Sequence, residues 1–303
     1  MQFASLPQIP WLAGRLNSLN MQADMCTGTI RIVVDNRAGT GLMAEHGFAL
    51  WIEAGGHVIL FDSGNQDALA ANLAKLGLDL SRVSDLVLSH GHYDHSGGIE
   101  MVLDNTDDLA VYLHQAAMQP RYVVKEDGEE EARSVRMPAG AMQAIGRLNE
   151  RSVTWLTHPV FIEDHIGVSG PIPRRTDFED TGGKFFYDPW GKRPDPIEDD
   201  NAIWFETDQG LVICVGCSHA GIVNTLDRII EISGRSDIHT VIGGLHLLHA
   251  SPRRLEETAS ALNMHSLKRL VACHCTGEAA IAYLSLKLNC EVIEGYAGFE
   301  LSF

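Results

Sequence analysis

Residues 90–95 carry four side chains that can bind metal ions: His90, His92, Asp94 and His95. They follow the apolar run 83–88, which predicts a buried strand, and they lie in a loop that contains glycine. Side chains two positions apart in extended backbone face the same way, so His90 and His92 can reach one ion. The chain then turns, and Asp94 and His95 can reach a second position. Imidazole and carboxylate suit zinc, with iron or manganese as alternatives, so the motif predicts one or two metal ions.

Two further histidines follow later strand-like runs, His219 after 211–215 and His274 after 270–273. Both lie where a strand passes into a helix, which is the usual place for site residues in layered α/β folds. We expect His219 to join the first two histidines of the motif on one ion. We expect His274 to join the carboxylate and the last histidine of the motif on the other.

The segments that must position these residues alternate between helix-like and strand-like patterns. Apolar spacing predicts helices at 67–76, 222–232, 252–262 and 278–288, and short apolar runs predict strands between them. The order is rich in strands at first and then runs β-α-β-α-β-α-β. Both halves mix strands and helices, which predicts two sheets packed face to face with helices outside, an α/β fold with αββα layers.

We divide the chain into an N-terminal extension, 1–28, and a single domain, 29–303. Residues 114–200 are less regular and hold the acidic run 126–131 and much of the proline. We interpret this range as an insertion or lid over the site. The six cysteines are sparse for the length of the chain, which fits reduced thiols in the cytoplasm better than a disulfide framework.

The net charge of the chain limits the classes of partner that it can bind. Lys and Arg total 23 and Asp and Glu total 40, so the formal net charge is −17. An acidic surface argues against a nucleic-acid partner and against an anionic membrane. No apolar run approaches the ~18–20 residues of a membrane helix, and the N-terminus does not read as a secretory signal. We expect a cytoplasmic protein with a small-molecule substrate, and we leave its oligomeric state open.

The spacing His-x-His-x-Asp-His at 90–95 is the signature of the metallo-β-lactamase fold superfamily, and this chain resembles that superfamily. Asp62, after the strand-like run 58–61, matches the acidic residue that these proteins place behind the metal ligands. The resemblance implies a four-layer αββα sandwich of metallo-β-lactamase type.

Further motifs narrow the resemblance to one branch. They are Val-Val-Asp-Asn at 33–36, Glu-His-Gly at 45–47, Phe-Asp-Ser-Gly at 61–64, Gly-Cys-Ser-His-Ala-Gly at 216–221, Gly-Gly-Leu-His-Leu at 243–247 and Cys-His-Cys-Thr-Gly at 273–277. Together they look like the family that includes the dihydropterin ribofuranosyl-aminobenzene phosphate synthases of methanopterin biosynthesis and bacterial hydrolase-like members. The resemblance runs from about residue 30 to the C-terminus and does not identify a substrate.

One strand end departs from the superfamily pattern. Hydrolases of the fold usually carry a bridging aspartate where this chain has Gly-Cys-Ser-His at 216–219. Either Cys217 supplies a thiolate or the bridge is only water or hydroxide, and we expect Cys217 to be a small buried residue. We expect His246 and His46 to support the ligands or bind substrate, with a plain loop histidine as the alternative for His46. Arg174 could bind a substrate phosphate or carboxylate, or be a solvated surface arginine.

These residues predict a hydrolase that uses a metal-bound hydroxide on a small-molecule ester, amide or phosphate, with Asp94 accepting a proton. The resemblance leaves open a synthase-type transferase that acts on a pterin and a phosphoribose compound. A metal-containing binding or sensing protein with little turnover is a third alternative. A di-iron redox enzyme is less favoured, because His92 stands where the oxygen-reducing branch carries Glu and no flavodoxin-like module follows.

Overall fold

The computed structural model describes residues 25–124 and 132–303. The strands are β1 (Gly28–Val34), β2 (Ala49–Ala54), β3 (His57–Phe61), β4 (Asp85–Val87), β5 (Ala110–Leu113), β6 (Tyr122–Val123), β7 (Arg133–Ser134), β8 (Val153–Trp155), β9 (Val160–Glu163), β10 (Ile166–Val168), β11 (Phe185–Phe186), β12 (Ala202–Thr207), β13 (Gly210–Val215), β14 (Ile238–Gly244), β15 (Arg269–Cys273), β16 (Glu291–Glu294) and β17 (Glu300–Ser302). The α-helices are α1 (Asp67–Leu76), α2 (Tyr93–Ser96), α3 (Ile99–Asp104), α4 (Ala139–Gly146), α5 (Ile222–Ser233), α6 (Pro252–Met264) and α7 (Glu278–Lys287).

The first large sheet has the strand order β17-β1-β2-β3-β4-β5-β8. Strands β3, β4, β5 and β8 run parallel, while β1 and β2 pair antiparallel to their neighbours. The carboxyl ends of parallel strands lie at the same edge of a sheet. Asp62, which follows β3, and the His90 loop, which follows β4, therefore emerge side by side.

The second large sheet has the order β16-β15-β14-β13-β12-β10-β9, with β13 to β16 parallel. The residues after β13, β14 and β15 therefore meet at one edge. They include Cys217 and His219, His246, and His274. The local hydrophobic pattern explains the sheet: every residue of β12 and β13 is buried, as expected of strands covered on both faces.

The two sheets pack face to face, because apolar side chains of Ile30 and Leu50 from the first share one cluster with Val212 and Ile242 from the second. Helices α1, α3 and α4 cover the outer face of the first sheet. Helices α5, α6 and α7 cover the outer face of the second. The αββα sandwich that the sequence predicts is confirmed.

The range 114–200 supplies strands to both sheets, β8 at the edge of the first and β9 and β10 at the edge of the second. Its remaining strands form a third, small sheet of order β11-β6-β7. The acidic run 126–131 lies outside the described residues, as does 1–24 of the expected extension. Residues 25–28 attach to the fold, since the backbone N–H of Cys26 donates to Glu206 O at 3.0 Å.

Within the described ranges, no helix has both the length and the apolar character needed to cross a membrane. All six cysteines are unpaired thiols.

Candidate metal centre

The edges of the two sheets bring together donor atoms that lie far apart in the chain. His90, His92 and His219 each offer a ring nitrogen within 4.8 Å of the other two. The Nε2 atom of His90 lies 2.9 Å from Nδ1 of His92, and the His219 ring lies 4.6 Å and 4.8 Å from their ring centroids. The structure therefore brings together the three histidines that were assigned to the first ion.

A second group surrounds the carboxylate of Asp94. Its Oδ2 atom lies 3.4 Å from Nε2 of His274, 3.9 Å from Nε2 of His95 and 3.2 Å from Nε2 of His46. The three residues assigned to the second ion thus adjoin one another, and His46, whose side chain is 55% exposed, lies on the outer side.

Four of these histidines share one arrangement of hydrogen bonds. The Nδ1 atom of each faces a group that can accept a hydrogen bond: Ser89 Oγ at 2.9 Å from His90, Asp62 Oδ2 at 2.6 Å from His95, Thr181 O at 2.7 Å from His219 and Asn36 Oδ1 at 2.8 Å from His274. The Ser89 hydroxyl itself donates to Asp62 Oδ2, so it accepts from His90. Each Nδ1 is therefore placed to donate its hydrogen to that acceptor, and each Nε2 faces the other donor atoms of the centre.

Two Nε2 atoms of the centre, those of His92 and His219, are buried without a hydrogen-bond partner among the described residues. The Nε2 atom of His95, by contrast, has a contact with Cys217 Sγ at 3.1 Å. Buried polar atoms are nearly always satisfied, so an orphaned lone pair requires an explanation. A metal-binding histidine characteristically donates its other ring N–H to a protein acceptor. The residues present therefore fit a metal ion.

Electrostatics keep most of the rings neutral. Burial, reinforced by neighbouring imidazoles, lowers the pKa of His90 and of His219 well below the usual value. Burial and the charge of Arg121 lower the pKa of His92 to about 3. These three rings are uncharged at neutral pH, which is the form that binds metal.

The second group is more highly charged. Burial opposes protonation of His95, but the carboxylate of Asp62 outweighs it and raises the pKa of His95 to about 9. Burial alone would raise the pKa of Asp94, yet hydrogen bonds from His274 and His46 hold it well below its usual range. Asp94 is therefore ionised, and a carboxylate of such low pKa is a weak base.

Cys217 lies between the two groups. Its sulfur belongs to three sets of donors that lie within 4.8 Å of one another: one with His90 and His95, one with His219 and His246, and one with His274 and Cys275. The residue is buried, as expected. Its sulfur nevertheless faces the imidazoles rather than apolar side chains alone.

Four residues at the strand ends hold positive φ without being glycine: Asp62 (62°), Ser218 (54°), His246 (47°) and His274 (48°). This backbone is costly for such residues and concentrates at functional sites. At each of these positions the backbone turns sharply after the strand, and the turn directs Asp62 and His274 toward the centre.

One wall of the centre comes from the range 114–200. The ring of Phe185 lies 4.9 Å from the His92 ring and 5.3 Å from the His219 ring. Gly182 packs so closely on His246 that a Cβ atom there would lie 2.0 Å from its Cδ2. The ring of His246 lies 4.4 Å from that of His219, tilted by 44°, and its buried Nδ1 has no hydrogen-bond partner among the described residues.

Arg174 is engaged with the backbone that carries the site. Its Nη2 atom donates to His219 O at 2.5 Å and to Pro196 O at 2.8 Å. The residue is exposed, so a role toward a substrate anion stays a prediction.

Sequence reasoning assigned no role to several supporting residues. Ser89 stands directly before the motif, and Cys275 directly after His274. Asp35 accepts the backbone N–H of His274 at 2.8 Å, beside the Asn36 contact. The Val-Val-Asp-Asn motif at 33–36 was the available sequence signal for Asp35 and Asn36. Their role depends on contacts with His274, which is distant in the sequence.

Comparisons with known proteins agree with this geometry. Residues 43–227 match the sequence model of the metallo-beta-lactamase superfamily. An uncharacterized protein of Methanocaldococcus jannaschii is 31% identical over 275 residues, 89% of this chain and 98% of that protein. The 7,8-dihydropterin-6-methyl-4-(beta-D-ribofuranosyl)-aminobenzene-5'-phosphate synthase of the same organism is 29% identical over 249 residues, 77% and 82% of the two chains. The crystal structure of Tm1679, a metal-dependent hydrolase of the beta-lactamase superfamily, matches with a TM-score of 0.77 at 30% identity, covering 90% of this chain and 98% of its own.

Proposed function

The chain belongs to the metallo-beta-lactamase superfamily, and on that premise we propose that it is a metal-dependent hydrolase that cleaves an ester, amide or phosphate bond of a small molecule. Membership implies a divalent metal. The observation that carries the proposal is the shared arrangement of four histidines, each with Nδ1 against a protein acceptor and Nε2 facing other potential metal ligands.

The donors divide into two positions. His90, His92 and His219 would hold one ion, and Asp94, His95 and His274 would hold another. Cys217 lies close enough to donors of both sets to contribute a thiolate, which is the alternative to the simple packing that we expect from the sequence. Imidazole with thiolate favours zinc over manganese, because sulfur is a soft ligand.

A divalent ion in this setting supplies a Lewis acid and lowers the pKa of a water molecule, from 15.7 to about 7 for zinc. The remaining roles belong to side chains of the protein. Asp62 orients the His95 ring and, through Ser89, the His90 ring. Phe185 covers one side of the imidazoles and limits the access of water. Asp94 contributes a fixed negative charge, which suits a ligand better than a proton acceptor.

A second candidate, a synthase-type transferase acting on a pterin and a phosphoribose compound, is favoured by one observation. The relative that is 29% identical over 77% of this chain is named as such a synthase. Both activities can use the same donor set, so the metal centre alone does not separate them. An assay of which substrates are turned over separates the two activities.

The experiment begins with metal analysis of the purified protein. We expect one or two equivalents of zinc, and turnover of a chromogenic phosphodiester or carboxylic ester that a chelator abolishes and zinc restores. His92→Ala should lose metal and turnover together. His239→Ala, the same change at the start of β14 and away from the site, is the control.

Two outcomes would change the conclusion. A metal-loaded protein that hydrolyses neither compound but joins a pterin to a phosphoribosyl aminobenzene would establish the transferase instead. A His92→Ala protein with full metal and full turnover would refute a metal-centred function altogether.

A further inference from the structure

Asp199, at the end of the range 114–200, lies directly behind the metal-binding motif. Its Oδ2 atom accepts the backbone N–H of Gly91 at 2.7 Å. Gly91 is the residue between His90 and His92, so this carboxylate touches the peptide that joins two of the convergent imidazoles. Asp199 is buried, and its contact is a charge-assisted hydrogen bond, stronger than an ordinary backbone bond.

Asn201 contacts the same loop at residues 88 and 89, just before Gly91. Its side-chain amide donates to Leu88 O at 2.9 Å and to Ser89 O at 2.8 Å. Its backbone N–H also donates to Ser89 O, at 3.1 Å. Asp199 and Asn201 together satisfy backbone groups at positions 88, 89 and 91, which have left the pairing of β4.

Asp200, between them, contacts the opposite loop. Its Oδ2 atom accepts the backbone N–H of Ala220 at 2.6 Å, one residue after His219. One short segment thus holds both loops that carry the first group of histidines. Its three side chains contact backbone groups of both loops.

The segment is itself anchored by a buried arginine. Arg121 donates through Nη1 to Asp199 Oδ2 at 2.9 Å, through Nη2 to Asp199 Oδ1, and through Nε to Asp195 Oδ2 at 2.7 Å. All three side chains are fully buried. A buried ionic group is a poor source of stability compared with apolar packing, and its best-attested use is to specify one arrangement.

The other side of the loop is closed by backbone. A Cβ atom at Gly91 would lie 2.1 Å from Ala117 O, so only glycine fits between the 114–118 turn and Asp199. The loop is held from both sides by residues of the range 114–200.

We infer that Asp199 and Asn201 are positioning residues, which hold the loop 88–91 so that His90 and His92 face His219 at metal-binding distance. In this proposal the range 114–200 does more than cover the metal centre, because it also holds the donor residues in their positions. This role rests on the proposed metal function. It assigns a purpose to a buried charge cluster that touches no reacting group.

The test compares two carboxylates that share one arginine. Asp199→Ala removes the contact to Gly91 together with contacts to Arg121. Asp195→Ala removes contacts to Arg121 and to the backbone N–H of Ile197 but none to the loop 88–91. The readouts are the dissociation constant for Co²⁺, the visible d–d absorption of the Co²⁺ complex, and the thermal midpoint of the metal-free protein. Asp199→Asn, which keeps a carbonyl oxygen able to accept from Gly91, serves as the conservative variant, and Asn201→Ala as an independent one.

We expect Asp199→Ala and Asn201→Ala to weaken Co²⁺ binding by about 10–100-fold and to alter the d–d bands. Asp195→Ala should lower the thermal midpoint but bind Co²⁺ with an unchanged spectrum, and Asp199→Asn should recover most of the affinity. If Asp199→Ala does not fold, the comparison of Asn201→Ala with Asp195→Ala decides whether the segment positions the loop.

Equal losses of affinity in the Asp195 and Asp199 variants would overturn the positioning role and leave general stability as the explanation. Unchanged binding by Asn201→Ala would overturn it as well. If the unsubstituted protein binds no Co²⁺ and no Zn²⁺, the proposed function itself fails.

Discussion

The Nε2 atom of His95 lies 3.1 Å from the Sγ atom of Cys217, although 122 positions separate the two residues. His95 comes from the loop after β4 in the first sheet and Cys217 from the loop after β13 in the second. The contact joins the two halves of the sandwich at the proposed metal centre. It also makes Cys217 the residue whose role is easiest to decide by experiment.

Cys217→Ser should remove about one equivalent of zinc and most of the turnover, since a thiolate is a stronger zinc ligand than a hydroxyl. Elemental analysis beside an activity assay measures both. Cys214→Ser is the matched control, because Cys214 is equally buried in β13 but its neighbours are apolar. A Cys217→Ser protein with full metal and activity would return the thiol to a packing role.

Asp62→Asn should weaken metal binding by about 10–100-fold, because the carboxylate fixes the His95 ring directly and the His90 ring through Ser89. Asparagine tolerates the positive φ of this position, so the backbone is expected to survive. Competition with a chromogenic chelator gives the dissociation constant.

A second Asp–His pair, in which only the aspartate is buried, provides the control for that variant. Asp85 Oδ2 lies 2.7 Å from Nδ1 of His57, away from the centre, and Asp85→Asn should leave metal affinity unchanged. If both variants lose affinity to the same extent, loss of general stability explains the result and Asp62 has no special role.

Phe185→Leu tests whether the small third sheet forms part of the substrate pocket. The ring covers the imidazoles of His92 and His219 but provides no ligand atom. We expect unchanged metal content and a raised KM for the chromogenic substrate. Phe186→Leu, the next residue on β11 with its side chain on the other face, should leave KM unaltered. A loss of metal in Phe185→Leu would contradict a role confined to the substrate.

Asp200 should make the stability of the metal-free protein depend on pH. Burial raises its pKa to about 7, and its Oδ1 atom has no hydrogen-bond partner within the described residues. The unfolded value is about 3.9. Between these values the folded state binds more protons than the unfolded state, so the free energy of unfolding falls as pH rises, by up to about 1.4 kcal/mol per pH unit.

Asp200→Asn should remove this part of the slope. The variant should gain stability relative to the unsubstituted protein as pH rises from about 4 to about 7, and the difference should then stay constant. Urea unfolding across that range measures it. Parallel stability curves for the two proteins would contradict the assignment.

Much of the fold was predictable because its signals are local. The helix predicted at 67–76 is α1 with the same bounds, and the one at 222–232 ends one residue short of α5. The strands β9, β10 and β17 were not predicted. They are short strands at or next to a sheet edge, and their pairing, such as Ile30 with Leu301, depends on partners far along the chain.

The sequence by itself determined which donors exist and which of them are neighbours along the chain. Residues 90–95 could be interpreted as a metal motif because the two-residue period of extended backbone is a local property. Only the tertiary structure decided what stands behind the donors. Nδ1 of His274 meets Asn36 across 238 positions, and Gly91 meets Asp199 across 108. Such contacts arise because the two sheets bring ends of strands that are distant in the chain to the same edge, and no periodicity within a single strand encodes them.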